Sequence, residues 1–105
     1  MSAVMVYITA ANFEDAEKIA RGLVEERLAA CTNLVPKIIS TYWWDDKLNE
    51  DQESLILAKT TNDKVDALIE RVKEMHSYEV PAVSVIEIKG GNPDFLNWIE
   101  SVVSK

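Results

Sequence analysis

The sequence predicts an α+β domain with an antiparallel sheet, in the order β-α-β-β-α-β with one more helix at the C-terminus. Three observations carry this prediction. Residues 3–10, AVMVYITA, form an apolar run rich in β-branched residues, which reads as a buried strand. Two later stretches repeat apolar residues at helical spacing with charged residues between them, as amphipathic helices do. Between these helices lie two extended segments joined through YWWDDKLNED, which read as a hairpin. That order is the split βαβ, ferredoxin-like arrangement, in which both main helices cover the same face of the sheet. At 105 residues the chain has room for one domain, spanning 1–105.

Each element has a local reason. Asn12 offers an N-cap after the first strand, with Asp15 three residues on. Ala16, Ile19, Ala20, Leu23, Val24 and Leu28 then form the apolar stripe of the first helix. Residues 30–45 are extended in character, and Pro36 marks a bulge, bend or edge because it cannot donate to a ladder. Residues 46–49 read as a turn of the longer kind, and residues 50–60 as the returning strand. Thr61 or Asn62 caps a second helix, with Val65, Leu68, Ile69, Val72 and Met75 as its stripe. Residues 80–88, VPAVSVIEI, read as a strand. Asn92 caps the last helix with Pro93 at its first position, where the missing N–H costs nothing.

The first strand is apolar on both faces and the last nearly so. Helices on one side of a sheet leave the second face bare. The C-terminal helix covers part of it, and a second copy of the chain is the expected cover for the rest.

Composition narrows the function. The net charge of −7 disfavours a nucleic-acid backbone or an anionic membrane surface as partner. No run approaches the roughly 18 apolar residues of a membrane span. Cys31 is the only cysteine, so no internal disulfide is available. MSAVMVYITA has no basic leader region and runs straight into a strand. The expectation is a cytoplasmic protein.

Several residues stand out as candidates. Strand alternation sends Trp43 and Trp44 to opposite faces, one toward the core and the other to a subunit interface or an aromatic ligand cleft. His76, the only histidine, sits at a helix end with Tyr78 and Glu79 close behind. It is either a helix-terminal charge, or a metal ligand or proton donor in a cleft. Cys31 is either a small buried hydrophobe or a thiolate for a soft metal. Lys59 ends the run LILAKT, where it snorkels at an edge or holds an anion. Glu50, Asp51 and Glu53 read as a solvated hairpin tip, or as an oxygen-rich patch for a hard cation. No phosphate loop, CxxC pair or nucleophile elbow is present, and nothing in the sequence demands an enzyme.

Four stretches stand in order: EERLAACTNLVP (25–36), YWWDDKLNEDQESLILAKT (42–60), HSYEVPAV (76–83) and GNPDFLNWI (91–99). Together they resemble the CutA family of divalent-cation tolerance proteins over nearly the whole chain. The resemblance implies a very stable homotrimer whose long hairpins reach across to neighbouring subunits and complete their sheets. It implies a role in tolerance of copper and other divalent cations, with no cofactor required and copper or another divalent cation as a ligand of some members. It also implies an architecture like that of the PII signalling proteins, which bind small effectors between subunits. Tyr42, Trp44, Lys59, His76 and Tyr78 are then the candidates for an inter-subunit cleft holding a small anionic or polar effector. His76 matches the histidine of the family's H-P-Y motif, a proposed copper ligand in some bacterial members. Here the motif reads His76-Ser77-Tyr78, and Ile8 and Met75 occupy the positions of the other two proposed ligands. Cys31 matches the cysteine of the ERLAAC motif and joins His76 as the candidate metal pair.

Overall fold

The computed structural model describes residues 2–105. In chain order the elements are β1 (Ala3–Ala10), α1 (Phe13–Glu25), β2 (Cys31–Trp44), β3 (Lys47–Thr61), α2 (Val65–Met75), β4 (Val83–Glu87) and α3 (Pro93–Val103). The four strands form one antiparallel sheet in the order β2-β3-β1-β4. This is the expected α+β, split βαβ arrangement with its added helix.

Alternation along β1 builds the main core. Val6, Ile8 and Ala10 point to one face, with Ile56 and Ala58 of β3, and meet Ala16, Ile19, Ala20 and Leu23 of α1 and Leu68 and Val72 of α2. The opposite face, carrying Ala3, Met5 and Tyr7, is only half covered. There α3 lays Ile99 and Val103 near Ala3 and Ala30, closing one end of that face. The short edge strand β4 is exposed along most of its length, Val85 and Ile86 included.

Local chemistry sets the element ends. The Asn12 side chain accepts the Asp15 N–H at 2.8 Å, and Asn92 accepts that of Asp94 at 3.1 Å. At the far end of α1, Arg27 takes a left-handed φ of 57°, and Leu28 N–H bonds back to the Leu23 carbonyl. This is a Schellman closure with arginine where glycine is usual. The second helix begins differently from expectation. A single 3-10 turn, Asn62–Lys64, precedes α2, and α2 itself starts without a side-chain cap.

The hairpin holds the largest differences from the sequence reading. Its turn is not the longer loop expected at 46–49. Asp45 and Asp46 alone turn the chain, with φ of 55° and 58°. Two successive left-handed residues match the right-handed twist of the flanking strands, and aspartate tolerates that conformation. Residues 47–49 therefore lie on β3, ahead of the strand expected from residue 50. Asp46→Gly removes the cost of a Cβ at positive φ, and is expected to stabilise the fold by about 1 kcal/mol in a urea titration.

Pro36 does mark a bulge. Val35 pairs with Leu55 and Ile38 with Glu53, so Pro36 and Lys37 together oppose Ser54, whose hydroxyl donates to the Pro36 carbonyl at 2.6 Å. The extra residue shifts the parity of β2. Cys31, Asn33 and Val35 before the bulge share a face with Ser40, Tyr42 and Trp44 after it, and with Glu53, Leu55, Leu57 and Lys59 of β3. Beyond the bulge the hairpin runs out as an arm. Trp43 is 72 % exposed and Trp44 62 % exposed. The two rings do point to opposite faces, but neither enters the core of the protomer, because the strands outrun the helices.

Candidate functional site

The bulge and the end of α2 together border a large cleft. His76 caps α2 in an extended conformation, and residues 77–82 then cross the end of β1 before β4 begins. The imidazole pins this crossing. Its Nε2 lies 2.6 Å from the Thr9 carbonyl, which can only accept, so Nε2 carries the proton. Its Nδ1 accepts the Tyr78 N–H at 3.0 Å. Both ring nitrogens are thereby engaged and the ring orientation is fixed. The Tyr78 ring sits 4.8 Å from it, tilted by 47°. His76→Ala loses both bonds and orphans the Tyr78 N–H, so a loss of about 1–3 kcal/mol is expected by urea unfolding.

Tyr78 reaches on to β3, where its hydroxyl donates to Glu53 Oε2 at 2.9 Å. On the arm the Tyr42 hydroxyl donates to the Asp51 carboxylate. Asp51 and Glu53 are two residues apart and so share this face. Burial and the Glu53 carboxylate together hold the Tyr78 phenol well above the usual range. The hydrogen bond to Asp51 raises that of Tyr42. Both tyrosines thus stay protonated as donors and neither can serve as a base near neutrality. The cleft they border has a volume of about 670 Å³ and is lined by Tyr42, Trp44, Glu53, Tyr78, Glu79 and Val80 among others. Its size suits a small ligand.

The sequence candidates divide. Tyr42, Trp44 and Tyr78 line the cleft, and His76 braces it from behind without lining it. Lys59 stands elsewhere on the same face, donating to the Asn33 side chain. It is six positions along β3 from Glu53, about 20 Å. With no basic residue among its lining, the cleft of one protomer does not suit the anionic effector expected above. Cys31, half-buried and free, pairs with Lys59 in register, whereas the carbonyl bound by His76 belongs to Thr9, which pairs with Leu55. Four strand positions, about 13 Å, separate those levels, so one protomer does not bring the candidate metal pair together. His76 also keeps no free lone pair for a metal. Among the described residues no group of three or more His, Cys, Asp or Glu side chains is placed to hold a metal ion.

Glu53 is the residue that sequence reading places wrongly. Its neighbours suggest a solvated tip, yet it is only 9 % exposed. The bulge at Pro36 is the signal that turns Tyr42 and Trp44 onto its face.

Comparison with known proteins agrees with this architecture. The model of the CutA1 divalent ion tolerance protein family matches residues 4–102. The chloroplastic protein CutA 1 of Oryza sativa subsp. japonica is 44 % identical over 98 residues, which are 93 % of this chain and 55 % of the rice protein. The divalent-cation tolerance protein CutA of Thermus thermophilus is 47 % identical over 95 residues, 90 % of this chain and 92 % of that one. The chain thus spans about half the length of the rice relative and nearly all of the bacterial one. The solved structure of the divalent cation tolerance protein (Cut A1) from Thermus thermophilus superposes with a TM-score of 0.93 at 45 % identity, covering 95 % of this chain and 97 % of that one.

Proposed function

The chain belongs to the CutA1 family of divalent ion tolerance proteins, and from that membership we propose that it acts in tolerance of divalent cations, copper included, as a homotrimer built through its hairpin arm. The arm is the observation that carries this reading. Ile39, Trp43 and Leu48 lie on its helix-side face and are all exposed. Large apolar side chains exposed together on one face of an arm are the mark of an interface. β2 is also an edge strand of fourteen residues, with one side of its backbone unpaired within the sheet. Three copies is the number the sequence resemblance implies.

The role is one of binding, not catalysis. The relatives are named for tolerance, and the tyrosines of the cleft are fixed as donors. Ligands for a divalent cation come from more than one copy, since His76 is fully engaged and Cys31 stands apart from it. A cytoplasmic setting fits a chain whose one cysteine is a free thiol. Among the described residues no helix is long and apolar enough to cross a membrane.

Growth under copper stress tests the role. A host lacking its own family member should regain tolerance when it expresses this chain. Equal growth with and without the chain contradicts the proposal.

A further inference from the structure

Among the described residues Glu53 forms no ion pair. It is 9 % exposed, and its side chain's hydrogen bond is to the neutral Tyr78 hydroxyl. Among the described residues the ion pairs are Arg71–Glu26 and Lys73–Glu70, and Lys37 borders a separate small pocket with Glu53 without pairing to it. Carboxylates so far from water are normally paired, because desolvating an isolated charge is costly. This one also borders an open cleft, so a positive group can reach it from outside.

The remaining walls say what kind of cation fits. The rings of Tyr42, Trp44 and Tyr78 line the same space, Glu79 adds a second carboxylate, and no Lys, Arg or His is among the lining. Aromatic faces are electronegative and hold weakly hydrated organic cations well. Val80 and Ala82 supply an apolar stretch for an attached alkyl group. A hydrated metal ion is matched less well. Hard divalent ions take six or more oxygens in a tight shell, and the hydroxyls of Tyr42 and Tyr78 are already committed as donors to carboxylates.

We propose that the cleft binds a small organic cation, an ammonium or guanidinium head on a short aliphatic chain, paired with Glu53 and flanked by the rings of Tyr42, Trp44 and Tyr78. This site is independent of the metal-tolerance role and takes a different class of ligand.

Ligand-observed NMR titration of the assembled protein tests it, with n-butylammonium as the probe and 1-butanol and butyrate as neutral and anionic controls. Saturable binding is expected for butylammonium, at least about tenfold tighter than for either control, and weakening as salt is added. Glu53→Gln still accepts the Tyr78 hydroxyl and keeps the fold, yet should lose about tenfold or more in affinity. Trp44→Leu changes an exposed side chain and should lose several-fold. No saturable binding, butanol binding as tightly as butylammonium, or an unchanged affinity in Glu53→Gln overturns the site. A cation from a neighbouring copy already paired with Glu53 would give the first of these results. Light scattering on the same samples keeps this separate from assembly, since a trimer that takes no ammonium refutes the site alone.

Discussion

Replacing Trp43 and Leu48 together by serine should release folded single protomers from the proposed trimer. The two residues face each other directly across β2 and β3 on the helix-side face of the arm, where they are 72 % and 63 % exposed. Neither belongs to a buried cluster of the protomer, so the far-UV circular dichroism should stay that of the parent. Full burial of one large apolar side chain contributes about 1.5–3 kcal/mol. Two such losses at every arm of a closed ring remove enough to shift a trimer to monomers at micromolar concentration. Copper tolerance should fall with it. A double variant of unchanged mass would mean that the arm is not the interface.

Ile56→Ala should produce the largest loss of protomer stability, about 2–5 kcal/mol in urea. Ile56 is fully buried on β3, paired with Ile8 on one side and Leu34 on the other. It lies between the sheet and both main helices, where neighbours on two strands limit collapse into the cavity. Ile86→Ala is the control. Ile86 is half exposed at the β4 edge, and its loss in a dissociated protomer should cost well under about 1 kcal/mol.

Much of this fold is legible in the sequence, because local chemistry and global packing agree. Asn12 and Asn92 cap as their type and spacing suggest. Pro36 bulges its strand because it has no N–H to offer a ladder. The apolar character of β1 on both faces points to cover that the protomer itself supplies only in part.

The failures are physical too. The composition of DDKLNED favours a loop, but two left-handed aspartates make the turn before it. The residues after them continue as strand, where register and not composition decides their neighbours. The tryptophans show the limit of alternation. It assigns faces correctly and does not say whether a helix lies over them. The thirteen residues of α1 cover about 20 Å, while the fourteen of β2 run about 46 Å. A core under Trp43 is therefore not available within one chain.

The cleft was readable in its aromatic residues and not in its charge. Tyr42, Trp44 and Tyr78 stand out as exposed aromatics near one helix end. Glu53 joins them only through the parity change at the bulge, and Lys59 is carried about 20 Å away along the same strand. The engagement of both His76 nitrogens depends on the Thr9 carbonyl, sixty-seven residues away in sequence. No local pattern announces such a contact.

The central claim is that the exposed arm exists to join copies of this chain. Multi-angle light scattering of the purified protein at micromolar concentration tests it most directly. The account predicts a single species of three times the 11.8 kDa chain mass. A single species at the mass of one chain would contradict it.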